Sequence, residues 1–212
     1  DIYFAGSTDG GSTWTDPNVM ANDPSFMATD WMDNPTLRVS CSGDIHVSFE
    51  RWGEFINFTK STDGGTSWLT PNVQVDDSFL GPVHNPVIAV DSSRVLYLAW
   101  TDVRSYLQDD IYFAQSRKGG LTWTDPNVKV NSDTLWNQRY PSLDVDDRGN
   151  IYVAWSDDRS GDYDIYFARG RSTGVQDAHE PRQRKREARL MQNWPNPFSR
   201  TTTILYHLPD AR

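Results

Sequence analysis

Three arginines stand out first for the chemistry they could do. They are Arg51, Arg104 in Trp100-Thr101-Asp102-Val103-Arg104, and Arg159 in Trp155-Ser156-Asp157-Asp158-Arg159. Grouped guanidinium forks offer paired, charge-assisted hydrogen bonds and so suit a carboxylate. They also take the same place in successive repeats, which makes an internal contact with Asp102 and Asp157 the competing expectation. A second group does not repeat: Asp30, Trp31 and Asp33, then His84, then Trp136, Arg139 and Tyr140. Exposed aromatic rings beside polar groups suit sugars, whose apolar faces stack while their hydroxyls find carboxylates. Trp31 and Trp136 could equally fill gaps between packed elements. Asp157, Asp158, Asp162 and Asp164 bring oxygen atoms together, but without the spacing of a calcium loop, so a polar hairpin is expected. His46, His84, His179 and His207 have no metal-site spacing, and Cys41 stands alone. Neither metal nor cofactor is expected.

The 212 residues carry 20 Lys and Arg against 29 Asp and Glu, for a net charge of −9. That balance argues against a nucleic-acid partner, which needs a basic surface. No apolar run approaches the roughly 20 residues of a membrane-spanning helix. Aromatic residues make up 13%, too many for a disordered acidic chain. A single cysteine excludes an internal disulfide framework. The charge is uneven: residues 1–177 have a net charge of −13, whereas residues 178–212 have +4. Two segments of different character are therefore expected to join near Asp177.

A repeat organises the first segment. Ile2-Tyr3-Phe4-Ala5 returns as Ile56-Asn57-Phe58-Thr59, Ile111-Tyr112-Phe113-Ala114 and Ile165-Tyr166-Phe167-Ala168, at steps of 54 or 55 residues. Short β-branched and aromatic runs, bounded by Gly, Asp, Asn and Pro, predict four strands per repeat and no helix before residue 178. The first run follows Pro35, Pro86 and Pro141, and the second ends on Phe49, Trp100 and Trp155. The third holds the Ile-x-Phe motif, and the fourth ends in Asn-Val-x-Val. Four short antiparallel strands per radial repeat is the arithmetic of a β-propeller blade.

Between the third and fourth strands lies Ser7-Thr8-Asp9-Gly10-Gly11-Ser12-Thr13-Trp14, repeated as Ser61-Thr62-Asp63-Gly64-Gly65-Thr66-Ser67-Trp68. A third copy, ending Gly119-Gly120-Leu121-Thr122-Trp123, has Lys118 in place of the Asp. The pattern predicts a tight hairpin in which Asp gathers backbone N–H groups and Gly supplies positive φ. It resembles the Asp-box, or BNR, motif Ser-x-Asp-x-Gly-x-Thr-Trp of the sialidase-like propellers. The resemblance covers roughly residues 2–170. It implies that Asp9, Gly11, Trp14, Asp63, Gly65, Trp68, Gly120 and Trp123 hold the fold together, at the end away from the active face. Sialidases hold a sialic acid carboxylate with an arginine triad, beside an Asp acid/base and a Tyr–Glu nucleophile pair. No acid/base Asp or nucleophilic Tyr can be assigned here, and Arg139-Tyr140-Pro141 departs from the family's Arg-Ile-Pro.

The expected fold is thus an all-β partial propeller over residues 1–177, entered at a third strand and left after another third strand. A charged linker is expected over 178–189. Residues 190–212, with Gln192-Asn193-Trp194-Pro195-Asn196-Pro197-Phe198, resemble the start of a carboxy-terminal sorting domain of type IX secretion substrates, a truncated β-sandwich-type module. That resemblance implies a secreted or cell-surface protein that meets secretion machinery through its tail. Strand alternation puts loops 21–34, 76–85 and 131–140 at one end with loops 50–55, 101–110 and 156–164, opposite the Asp-boxes. Loops are where binding residues concentrate. The expected function is a binding or scaffold module for an extracellular glycan or surface protein. An exo-α-sialidase with its catalytic residues mostly on other blades is the alternative.

Overall fold

The computed structural model describes residues 1–27, 29–78, 81–104, 108–132 and 135–171. The linker at 178–189 and the module at 190–212 lie outside them. Within the described residues the chain is all β, with thirteen strands in four antiparallel sheets. The first sheet pairs β1 (Tyr3–Phe4) with β2 (Val19–Met20). The second runs β3 (Met32–Val39), β4 (Ile45–Arg51), β5 (Phe55–Ser61) and β6 (Val73–Gln74). The third repeats that order with β7 (Val83–Val90), β8 (Leu96–Asp102), β9 (Asp110–Ser116) and β10 (Val128–Lys129). The fourth has three strands, β11 (Gln138–Val145), β12 (Asn150–Asp157) and β13 (Asp164–Arg171). The sheets are therefore blades, and they follow one another in chain order.

The inner strands begin earlier than their prolines predict. β3, β7 and β11 each run through Pro35, Pro86 or Pro141 by way of a bulge. The residue before each proline, Asn34, Asn85 or Tyr140, takes φ of 49°, 54° or 55°. A bulge leaves one residue outside the ladder, so a residue without an N–H is tolerated there. The outer strands are two residues each, and a cis Asp16-Pro17, Thr70-Pro71 or Asp125-Pro126 bond precedes each of them.

The core lies between blades rather than within them. Every residue of β8 is buried, because its sheet is covered on both faces. On one side Leu96, Leu98 and Trp100 pack with Ile56 and Phe58 of the preceding blade. On the other, Tyr97 and Ala99 pack with Leu143, Val153 and Trp155 of the next. Each such apolar side chain contributes on the order of 2 kcal/mol by leaving water.

The Asp-boxes fasten these junctions. Asp9 accepts bonds from the Thr13 amide at 2.9 Å and hydroxyl at 2.6 Å, and Asp63 does the same with Ser67 at 2.9 and 2.5 Å. These bonds hold both carboxyls well below their usual range, at about 2. In the third copy Ser116 still accepts from Gly120 at 2.9 Å, so the turn survives Lys118. Gly65 and Gly120 are required by more than φ: a Cβ there would come within 2.1 Å of the Phe4 ring and 1.9 Å of the Phe58 ring. Trp68 meets Phe4 edge-on at 5.4 Å, and Trp123 meets Phe58 at 5.3 Å. The Asp-box tryptophans therefore reach across to the preceding blade as well as covering their own hairpin. Trp14, on the first sheet, is 60% exposed.

Polar staples repeat too. The Asp23 amide donates to Asn72 and the Asp77 amide to Asn127, each at 2.8 Å and each across a junction. The Ile amide of the first three Ile-x-Phe copies is taken by Asn22, Asp76 or Asn131, at 2.7, 2.7 and 2.8 Å. Asp76 is the exception in charge. Its burial raises the carboxyl to about 7, against the bond from Ile56.

Candidate functional site

At the end opposite the Asp-boxes, the arginines are largely committed to their own blades. Asp102 is fully buried and accepts Arg104 Nε at 3.1 Å, Nη2 at 2.7 Å and the backbone amide at 2.9 Å. It also takes the Trp100 indole N–H at 3.1 Å. Asp157 does the same with Trp155 at 3.0 Å and with Arg159 Nε at 2.9 Å. Burial opposes the Asp157 charge, but these bonds outweigh it and lower its pKa. Arg104 then lies over Tyr112 at 3.7 Å and meets Asp77 at 2.9 Å, while Arg159 lies over Tyr166 at 4.2 Å. Both guanidinium groups are thus held at one edge by a carboxylate and covered on a face by a ring.

Arg51 does not share that place. It stands opposite Met32, where Asp102 stands opposite Val83 and Asp157 opposite Gln138. It occupies the register of the aspartates, so the three arginines are not equivalent in the repeat. Its guanidinium lies over Phe26 at 4.5 Å and Trp52 at 4.6 Å, with Asp30 at 3.4 Å. The sequence misaligned it because the turn between β4 and β5 is only three residues long.

Of the non-repeating residues Asp30 is buried beside Arg51, whereas the aromatic ones face outward. Trp31 is 70% exposed, Tyr140 64% and Trp136 44%. Trp31 directly precedes β3 and Trp136 lies two residues before β11. Trp52 joins them: it takes φ of 61° and donates its amide to the Trp31 carbonyl at 2.7 Å. Asp33, His84 and Arg139 occupy one register position on β3, β7 and β11, opposite Glu50, Thr101 and Ser156. Arg139 pairs with Asp109 through Nε. Asp158 accepts both nitrogens of Asn137, at 2.7 and 2.9 Å, and Asp164 accepts the Ser160 hydroxyl. The acidic hairpin is therefore spent on internal bonds. Among the described residues no group of three His, Cys, Asp or Glu is placed to hold a metal ion.

Glu50 and Trp52 were not singled out by the sequence. Glu50 is 5% exposed and accepts the Asn34 side chain at 2.6 Å and the Asn85 amide at 2.5 Å, with His84 Nδ1 at 3.2 Å. Burial opposes its charge, yet the bonds from His84, Asn85 and Asn34 leave its pKa lowered. The signal was available: Glu stands where the repeat has Thr101 and Ser156.

Residues 1–160 match the family described as a BNR repeat-like domain. The chain belongs to this family. Solved structures share the fold of this BNR repeat domain at low identity. An ulvan lyase of polysaccharide lyase family PL25, bound to -[GlcA(1-4)Rha3S]-, has a TM-score of 0.62 at 12% identity, over 80% of this chain and 47% of that one. The α-L-arabinofuranosidase Arb93A of Fusarium graminearum has a TM-score of 0.54 at 16%, over 71% and 48%. The Hadza microbial sialidase Hz136 has 0.53 at 18%, over 66% and 35%. The chain thus spans less than half the length of these structures. No curated protein matches it.

Proposed function

We propose that this BNR repeat domain is the arc of a secreted or cell-surface propeller that binds glycan at its loop end. The observation that carries the proposal is the group of outward aromatic rings, Trp31, Trp52, Trp136 and Tyr140, on the one end where the repeat is broken. Such rings offer flat apolar faces beside polar atoms, which is what a pyranose or furanose ring requires. The arabinofuranosidase is bound to an iminosugar inhibitor and the lyase to -[GlcA(1-4)Rha3S]-, which supports the same ligand class. Secretion rests on the likeness of residues 190–212 to a sorting domain, whose partner is the export machinery. A sialidase reading draws on the fold it shares with one neighbour. Its arginine triad would have to come from elsewhere, because Arg104 and Arg159 are already clamped by aspartates.

The test is a glycan array on the 212-residue protein, followed by titration of the hits and by a fluorogenic sialoside assay. The proposal expects binding without sialoside turnover. Trp31→Ala and Trp136→Ala are each expected to weaken binding about tenfold, near the cost of losing one stacked ring. Silence across the array, or binding unmoved by both substitutions, overturns it.

A further inference from the structure

The inner-strand bulges at the loop end are held by the blade before. Thr101 Oγ1 accepts the Tyr140 amide at 3.3 Å, and Glu50 Oε1 accepts the Asn85 amide at 2.5 Å. A hydroxyl suffices at one junction, so the other needs no carboxylate for this purpose. Burying one there is costly unless its charge is used. Glu50 Oε1 also accepts the Asn34 side-chain amide, which a neutral oxygen could do, and its Oε2 meets His84, a residue that departs from its equivalents, Asp33 and Arg139.

The carboxylate fixes the ring. With Nδ1–H donating to Glu50 Oε2, Nε2 is left without a partner among the described residues, on a side chain 42% exposed. In that tautomer a neutral imidazole offers only an acceptor at Nε2, and an imidazolium only a donor. A sugar hydroxyl can meet either form. A carboxylate or a sulfate ester, which accepts only, can meet just the protonated one.

We propose that Glu50 and His84 form a proton-gated recognition point for an acidic glycan, in which Nε2–H of the charged ring binds a carboxylate or sulfate oxygen. The proposal rests on the glycan reading of the loop end and names the ligand class for it. Three charged groups act on the ring. Glu50 on β4 favours the imidazolium most, through its hydrogen bond and its charge, and Asp109 before β9 adds to it. Arg139 on β11 and burial oppose it, and the balance raises the His84 pKa. Protonation also compensates the Glu50 charge that would repel an anion, while Arg139 at the equivalent position of β11 already balances Asp109. Loss of the proton exposes the anion to an uncompensated carboxylate.

The experiment is calorimetric titration of the 212-residue protein from pH 5.5 to 8.5 at fixed ionic strength. Three probes are used: oligogalacturonate, a sulfated galactan oligosaccharide and a neutral arabino-oligosaccharide. The affinity of an acidic probe is expected to fall roughly tenfold as pH rises through the His84 transition, the loss of one charged hydrogen bond. The neutral probe is expected to stay level. A fall confined to one acidic probe names carboxylate or sulfate as the group. His84→Gln, a donor at every pH, should keep binding and abolish the step. Glu50→Gln, which can still accept the Asn85 amide, should move the midpoint to lower pH. A level profile for both acidic probes while binding still needs Trp31 and Trp136 overturns the gate and leaves the glycan reading intact. Absence of binding by both acidic probes while array glycans still bind overturns the gate alone, and silence across the array overturns both.

Discussion

At the Asp-box end, consecutive junctions are copies of one another. Phe4 meets Gly65 and Trp68, and Phe58 meets Gly120 and Trp123, at ring distances that differ by 0.1 Å. At the loop end, equivalent positions carry Asp33, His84 and Arg139, or Glu50, Thr101 and Ser156. The difference follows from what each end must do. A ring inserted between two blades leaves no room for another side chain, so packing dictates the residue. At the bulges Asp33, His84 and Arg139 stay at least partly exposed, so their identity is open to a task. In a repeat protein, sameness marks the contacts that hold blades together and departure marks the places available for binding.

Overpacking the repeated end should give the largest effect. Gly120→Ala places a methyl group 1.9 Å from the fully buried Phe58 ring and strains a φ of 83°. Urea denaturation should show a loss of about 2–4 kcal/mol. A loss below 1 kcal/mol would break the claim that this junction is tightly packed.

Asp76 probes a departure buried inside the repeated staples. Burial pushes its folded pKa up to about 7, above the ordinary aspartate value of 3.8. The folded state therefore holds this proton more tightly, and stability is full below about pH 4 and falls as pH rises to about 7. Asp76→Asn adopts the residue of the neighbouring repeats, Asn22 and Asn131, and removes that dependence. Where those residues give their amide to Asp1 and Asp110, Phe55 stands here, so part of the gain is forfeited. Thermal melts at pH 8 should show about 1–2 kcal/mol of stabilisation that vanishes near pH 4. Equal effects at both pH values would contradict the assignment.

The smallest stability effect completes the comparison. Gly11→Ala has the same sequence context and a φ of 88°, yet its Cβ would meet only Trp14, at 3.8 Å. Backbone strain alone should cost about 1 kcal/mol. A loss as large as that of Gly120→Ala would mean that φ, and not the neighbouring blade, explains both glycines.

These contrasts also show what the sequence could reveal. Steps of 54 and 55 residues gave the strand order and the two-, four-, four- and three-stranded division, since each blade repeats one hydrophobic pattern. The Asp-box turn was legible because its bonds stay within a few residues. Contacts between blades were not. Phe4 and Gly65 are far apart in the chain, and nothing local announces that one fits the other. Glu50 and His84 stayed hidden for the same reason, and Arg51 was misplaced because a short turn disguised its register. The exposure of Trp31 and Trp136 depends on how loops leave the blades, which periodicity does not encode.

The central claim is that ligand binds where the repeat is broken. The indole N–H signals in a nitrogen-15 correlation spectrum of the 212-residue protein test it most directly. Titration with an oligosaccharide identified on the array should shift Trp31, Trp52 and Trp136 and leave Trp14, Trp68 and Trp123 in place. Shifts confined to the Asp-box tryptophans, with the loop-end signals unmoved, would contradict the account.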